Sequence, residues 1–132
     1  MQKIFLTQKA IIVNENGSFL AIRRSKTDPA RPLFWDLPGG GLDFSEDAKQ
    51  GIIRETKEET GLDVENFKVK DVISRLNDRG EFWITIFYVG KTTASKVILS
   101  YEHDDYKWTA ADEFLKLKIS PTLQKFVEKF KS

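Results

Sequence analysis

Three glutamates in the middle of the chain have the spacing of residues that act together. Glu55, Glu58 and Glu59 stand at positions i, i+3 and i+4, within one arc of about 100° if the segment is helical. Ile52 and Leu62 project along or beside that arc, so carboxylates share the stripe that should face the core. Unpaired carboxylates there are costly, and mutual repulsion raises their pKa values. A hard divalent cation such as Mg²⁺ resolves the conflict, because it takes oxygen ligands and bridges carboxylates to substrate phosphates.

The same segment can also be interpreted as an ordinary solvated helix. Glutamate-rich helices usually face water, and Arg54 stands four residues before Glu58, the spacing of a surface ion pair. The helix alone does not separate the two interpretations.

The residues around the helix do separate them. Fixed residue types recur at fixed intervals, in the order Gly40, Glu46, Arg54-Glu55, Glu58-Glu59 and Gly61-Leu62. This pattern resembles the Nudix box, G-x5-E-x7-R-E-U-x-E-E-x-G-U, where U is aliphatic, and all seven fixed letters match. Thr56 departs from the aliphatic preference and should face the core, and Ser45 stands where many members carry glycine. The resemblance continues in Arg23-Arg24, Trp35–Gly40 and Glu102–Trp108, and so covers about Phe5 to Trp108.

The resemblance implies an α+β fold, a Nudix-type α/β/α sandwich with a mixed β-sheet. It also implies Mg²⁺-dependent hydrolysis, with Mn²⁺ as a substitute, of the diphosphate linkage in a nucleoside di- or triphosphate derivative. A (d)NTP cleaved to (d)NMP and pyrophosphate is the leading expectation. Nucleotide-sugar or dinucleoside polyphosphate hydrolysis remains an alternative. A non-catalytic nucleotide-binding module is disfavoured, because such modules typically lose box carboxylates.

The resemblance also assigns roles to individual residues. The metal ligands it implies are the Gly40 carbonyl, Glu55, Glu58, Glu59 and Glu102. Catalytic roles fall to Glu58, Glu59 and Glu102, together with Arg54, which should orient a glutamate. Glu46 is expected to support the loop against the helix. For the position of Glu102, Asp104 and Asp105 are rivals, and an ordinary acidic surface loop is the remaining alternative.

Substrate-binding residues are expected on both sides of the box loop. The candidates are Arg23, Arg24, Trp35, Gly39 and Gly41. Arginines can hold phosphates, Trp35 can stack on a base, and the glycines let the backbone approach a ligand closely. His103, the single histidine, is expected to be incidental.

Alternation and turn chemistry predict the elements that must position these residues. Strands are expected at Ile4–Val13, Phe19–Arg24, Val64–Leu76 and Phe82–Val89, with short ones at Val97–Leu99 and Tyr106–Thr109. Asp47 should cap a helix that ends at Thr60 and Gly61. A second helix should begin near Pro121 and end near Lys131.

Composition limits the class of protein. At 132 residues, one domain spanning 1–132 is expected, and 21 basic against 20 acidic residues argue against a protein that coats nucleic acid or membrane. The absence of cysteine excludes disulfides and thiolate metal sites. The first residues do not resemble a secretory signal, so a soluble cytoplasmic protein is expected. The expected partner is a small-molecule nucleotide, and a homodimer is left open.

Overall fold

A mixed β-sheet runs through the computed structural model, which describes residues 2–131. The six strands are β1 (Ile4–Val13), β2 (Phe19–Arg24), β3 (Trp35–Asp36), β4 (Lys68–Leu76), β5 (Phe82–Lys91) and β6 (His103–Thr109). The sheet order is β3-β2-β1-β5-β4, and β6 also pairs with β2. Strands β1 and β5 run parallel, and the other pairs are antiparallel. The helices are α1 (Ala48–Thr60), α2 (Ala111–Phe114) and α3 (Pro121–Lys131).

Two hydrophobic cores lie on opposite faces of the sheet, because successive strand residues point to opposite faces. Ile52 of α1 packs with Ala10 and Ile12 of β1. Phe126 of α3 packs with Ile11, the residue between them in β1. The predicted α/β/α sandwich with a mixed sheet is therefore confirmed, with α1 on one face and α2 and α3 on the other.

Helix α1 begins and ends where its capping residues predict. The Asp47 side chain accepts a hydrogen bond from the Gln50 amide, which satisfies a free donor of the first turn. Gly61 adopts a left-handed conformation with φ of 75°, and its amide donates to the Lys57 carbonyl. The orientation of the box glutamates therefore follows from two local signals.

One predicted strand is wrong. Residues 97–99 form no strand, because their neighbourhood is hydrogen-bonded to the end of α1 instead. The Ile98 amide donates to the Thr60 carbonyl at 2.9 Å, and the Ser100 amide donates to the Glu59 carbonyl at 3.3 Å. This segment satisfies carbonyls that a helix end leaves free. Two predicted strands also begin at other residues: β4 begins at Lys68 and not at Val64, and β6 begins at His103 and not at Tyr106.

The one-turn helix α2 was not predicted, since four residues carry no periodic signal. Among residues 2–131, no helix is long and apolar enough to cross a bilayer.

Candidate functional site

The three glutamates of the Nudix-like pattern that lie in α1 face a cleft of about 640 Å³. Glu55, Glu58, Glu59 and Glu102 all line it. The walls also include Gly39, Gly40 and Gly41 of the loop after β3. The cleft therefore brings together the four carboxylates and the glycine loop that the sequence singles out.

Glu59 is the most buried of these carboxylates, with 7% of its surface exposed. The Gly39 amide donates a hydrogen bond to its Oε1 at 2.8 Å. Burial raises the pKa of Glu59 to about 8, although Lys9 and the Gly39 hydrogen bond oppose the shift. The nearby positive charge of Lys9 therefore does not compensate for the burial of the Glu59 carboxylate.

Glu55 stands against the glycine loop and is half-buried. A Cβ atom on Gly40 would lie 3.0 Å from the Glu55 carboxylate, so the loop and this side chain are in direct contact. Burial raises the pKa of Glu55, while Arg54 pulls it in the opposite direction. Burial therefore disfavours the charged form of both Glu55 and Glu59, and the nearby positive charge offsets that cost only in part.

Arg54 ties the box together from within the helix. Its guanidinium donates to Glu46 at 2.7 and 3.0 Å, and to Glu55 and Glu58 at 3.2 Å each. The Arg54 hydrogen bond and the Asp43 amide lower the pKa of Glu46 to about 2. Glu46 does not line the cleft, and its supporting role stays a prediction.

The glycine loop is laid along β1. The Gln8 amide donates to the Gly40 carbonyl and the Ala10 amide donates to the Pro38 carbonyl, both at 2.9 Å. Gly39 has φ of 137°, and a Cβ atom there would overlap the Gln8 carbonyl. Only glycine permits this close approach, which aims the Gly39 amide at Glu59. The Gly40 carbonyl, a predicted metal ligand, keeps one lone pair outside the Gln8 bond.

A buried ion cluster supports the floor of the cleft, and the sequence reasoning missed it. Asp36 accepts from Lys9 at 2.9 Å and from Arg24 at 2.9 and 3.0 Å. Burial alone would raise the pKa of Asp36, but Lys9 and Arg24 outweigh it and hold that pKa below its usual range. A lysine between the apolar runs of a predicted strand was the available signal. Arg24 lines the cleft as predicted, yet its charge is already shared with Asp36 and Asp28.

Arg23 is not brought to the cleft. Its guanidinium donates to Asp104 at 2.8 Å and lies 5.8 Å from the centre of the Trp35 ring. Trp35 does line the cleft, but the Lys107 ammonium also lies 4.6 Å from its ring centre. The structure therefore places Arg23 in an ion pair and a ring contact outside the cleft, and its role in substrate binding stays a prediction.

Glu102 and its two rivals are separated by the start of β6. Glu102 is exposed and lines the cleft, whereas Asp104 and Asp105 do not. The Ser25 amide donates to the Glu102 carbonyl at 3.0 Å, which anchors the turn that carries it. His103 also lines the cleft, and burial lowers its pKa to about 4. His103 is therefore neutral near pH 7.

The donor set fits a hard divalent cation. Four of the carboxylates that line the cleft are predicted metal ligands, and two of these four have pKa values raised by burial, a cost that a bound cation removes. Between residues 2 and 131, no three acidic or histidine side chains are grouped closely enough to hold a metal ion, so the fit lies in the chemistry of the donors and in the cleft that they share. Arg54 stands among Glu46, Glu55 and Glu58 instead.

Comparisons with known proteins agree with this geometry. The NUDIX domain family matches residues 5–130. The MutT protein from Methanosarcina mazei Go1 superimposes with a TM-score of 0.84 at 31% identity, over 98% of this chain and 94% of that one. An 8-oxo-dGTP diphosphatase of Proteus vulgaris is 32% identical over 55% of this chain and 63% of its own length. An asymmetrical bis(5'-nucleosyl)-tetraphosphatase of Caenorhabditis elegans is 29% identical over 75% of each chain.

These matches define the class of protein. The chain belongs to the NUDIX domain family and is similar to MutT-like members of it. For most of the curated relatives, the Proteus protein among them, the matched segment is less than two thirds of the relative's own length.

Proposed function

We propose that the protein is a divalent-cation-dependent pyrophosphohydrolase that cleaves the diphosphate linkage of a nucleoside triphosphate or a related nucleotide. The main expected reaction converts a (d)NTP to the monophosphate and pyrophosphate. The observation that carries the proposal is the cleft itself, which the buried Glu59 lines together with Glu55, Glu58 and Glu102.

The carboxylates are assigned to the cation. Glu55, Glu58, Glu59 and Glu102 would hold Mg²⁺, with Mn²⁺ as a substitute, together with the free lone pair of the Gly40 carbonyl. When bound, the cation neutralises phosphate oxygens and lowers the pKa of water. A bound cation would offset the cost of burying the Glu55 and Glu59 carboxylates in their charged form, which a purely structural helix would leave unexplained.

The neighbouring residues keep this arrangement in place. Gly39 orients Glu59 through its amide, and Arg54 orients Glu55 and Glu58 through its guanidinium. Glu102 approaches from a different element and is exposed, so it can take the proton of the attacking water. The water oxygen bonds to phosphorus, the bridging P–O bond breaks, and the leaving phosphate carries away the bond's electron pair.

The names of the relatives supply the candidate substrates. The Proteus relative is an 8-oxo-dGTP diphosphatase, and the C. elegans relative acts on a dinucleoside tetraphosphate, according to their names. Both substrates contain at least three linked phosphates. The second candidate function is therefore dinucleoside polyphosphate hydrolysis by the same residues. We also expect the protein to act in the cytoplasm, where such nucleotides occur.

A product-resolved screen tests the proposal. Purified protein with Mg²⁺ is offered the canonical (d)NTPs, 8-oxo-dGTP, a dinucleoside tetraphosphate and a nucleotide sugar, and products are separated by ion-exchange chromatography. Nucleoside monophosphate and pyrophosphate from a triphosphate support it. Orthophosphate as the first product would contradict the assigned bond. Binding without turnover of any nucleotide would identify a non-catalytic module instead.

A further inference from the structure

Three arginines that the proposed chemistry does not use line the same cleft. Arg31 lies in the loop between β2 and β3, Arg75 lies near the end of β4, and Arg79 lies in the turn between β4 and β5. They come from two separated parts of the chain, so their convergence is a property of the fold. We call Arg31, Arg75 and Arg79 the arginine cradle.

The cradle differs from the other arginines in its partners. Arg23, Arg24 and Arg54 each form ion pairs with carboxylates. Within residues 2–131, the guanidiniums of Arg31 and Arg75 form no hydrogen bond or ion pair with any side chain. Arg79 pairs there only with Glu81, at 3.0 Å on the surface. The guanidiniums of the arginine cradle therefore keep N–H donors that no side chain among residues 2–131 accepts from.

The arginines also lie close enough to repel one another. Burial lowers the pKa of Arg31 first, and the positive charges of Arg24, Arg75 and Arg79 lower it further, while Asp36 opposes them. Like charges that face a shared cleft without compensation destabilise the empty protein. An anionic ligand would relieve that repulsion.

The backbone around the cradle is well fixed. The Asp28 carboxylate accepts from the Arg31 amide at 2.7 Å, and the Arg31 guanidinium lies 5.8 Å from the centre of the Phe34 ring. Asn77 accepts from the amides of Arg79 and Glu81 at 3.0 and 2.9 Å, which shapes the hairpin turn. Arg31 and Arg79 are thus held at the cleft by local hydrogen bonds.

We propose that the arginine cradle binds substrate phosphates that extend beyond the linkage cleaved at the α1 glutamates. Guanidiniums bind phosphate oxygens in bidentate fashion, and a terminal phosphate carries charge that a neutral sugar lacks. The enzyme would therefore select nucleoside tri- or polyphosphates over nucleoside diphosphate sugars. This inference rests on the proposed function, and it assigns the cradle as the determinant of substrate class.

The first test is binding without catalysis. Inorganic tripolyphosphate is titrated calorimetrically into the protein in excess EDTA, and the wild type is compared with the double variant Arg31→Gln/Arg75→Gln. Lys96→Gln, which removes one exposed charge away from the cleft, is the control. The double variant should bind at least about tenfold more weakly, the usual effect of losing charged hydrogen bonds, and the control should bind normally. Equal affinity in the double variant, or no binding to the wild type, overturns the inference.

The second test separates the cradle from the catalytic assignment. With Mg²⁺, the double variant should show KM for the best nucleoside triphosphate raised at least about tenfold, with kcat little changed. Its KM for a nucleotide sugar with the same base should be unaltered. Equal increases for both substrates, or none for the triphosphate, overturn the inference. If the wild type hydrolyses neither substrate, the proposed function fails, and the metal-free titration alone decides whether the cradle binds polyphosphate.

Discussion

At the residue scale, the site depends on carboxylates that are buried to different extents. Glu59 is almost fully covered and receives the Gly39 amide, whereas Glu58 is exposed and bonded to Arg54. Glu102 joins them from the turn before β6. The helix therefore supplies one side of the proposed cation site, and of Glu102, Asp104 and Asp105 only Glu102 lines the cleft.

The first prediction concerns Glu102 and its rivals. Glu102→Gln should lower kcat by about two orders of magnitude at saturating Mg²⁺ with KM little changed, because it removes a ligand or base used in the reaction. Asp104→Asn and Asp105→Asn, measured side by side, should stay near normal, since neither lines the cleft. Loss of turnover in an aspartate variant alone would transfer the role to that aspartate.

The second prediction concerns Thr56, which is fully buried in α1 and whose hydroxyl has no hydrogen-bond partner in the structure. Thr56→Val should raise the free energy of unfolding by about 1 kcal/mol, because valine fills the same space without an unsatisfied hydroxyl. Urea unfolding measures the change.

Thr60→Val is the matched control for that change. The Thr60 hydroxyl donates to the Thr56 carbonyl at 2.6 Å and accepts from the Leu62 amide at 3.2 Å, so its loss should cost about 1 kcal/mol. A loss above about 1 kcal/mol in Thr56→Val would show that its hydroxyl makes a needed hydrogen bond.

At the element scale, α1 is hydrogen-bonded at both ends, to the sheet at its start and to the segment 98–100 at its end. The Gln8 side chain of β1 donates to the Ala48 carbonyl at 3.0 Å and to the Tyr88 hydroxyl at 2.6 Å. At the other end, the amides of Ile98 and Ser100 bond to the last turn. The glutamates therefore lie on a helix whose position is set by the sheet at one end and by the segment 98–100 at the other.

The third prediction concerns the Asp36 cluster, which joins β1, β2 and β3. Asp36→Asn should lower the free energy of unfolding by about 3–5 kcal/mol, because it leaves Lys9 and Arg24 without their shared buried carboxylate. The control is Asp112→Asn, which breaks an exposed pair with Lys131 and should change stability by less than about 1 kcal/mol. Similar losses in both variants would contradict the account of the cluster.

The pH dependence of stability gives a second measure of the same cluster. The folded pKa of Asp36 is depressed, so its contribution is present above the unfolded value of about 3.9 and is lost as pH falls through the folded pKa. The free energy of unfolding of the wild type should therefore fall more steeply with decreasing pH below about pH 4. Asp36→Asn should lack this additional pH dependence.

The sequence predicted the elements whose signals are local and missed contacts between distant residues. The caps at Asp47 and Gly61 and the spacing of the glutamates define α1 from within one segment. Lys9 and Asp36 meet across 27 positions, and no local pattern shows that pairing. Residues 97–99 have the composition of a strand, but the Ile98 amide donates to a carbonyl at the end of α1 and not to a neighbouring strand.

At the scale of the whole molecule, one cleft is lined both by glutamates, which suit a cation, and by arginines, which suit phosphate groups. The glutamates come from α1 and the turn before β6, and the arginine cradle comes from the loop after β2 and the β4–β5 hairpin. None of the cradle arginines forms an ion pair with these glutamates among the described residues. The cleft would therefore keep the proposed cation site and the proposed phosphate site apart, as a substrate bound through metal and phosphate requires.

The central claim is that the box carboxylates form a cation site that performs the hydrolysis. The most direct measurement is kcat for Glu59→Gln at saturating Mg²⁺, beside wild type and the exposed surface variant Glu113→Gln. Glutamine keeps an oxygen for the Gly39 amide and removes only the charge, so the fold should persist while kcat falls at least about a hundredfold. Glu113→Gln should match the wild type, and excess EDTA should abolish turnover in all three proteins. Near-normal turnover by Glu59→Gln, or hydrolysis that persists in EDTA, would contradict the account.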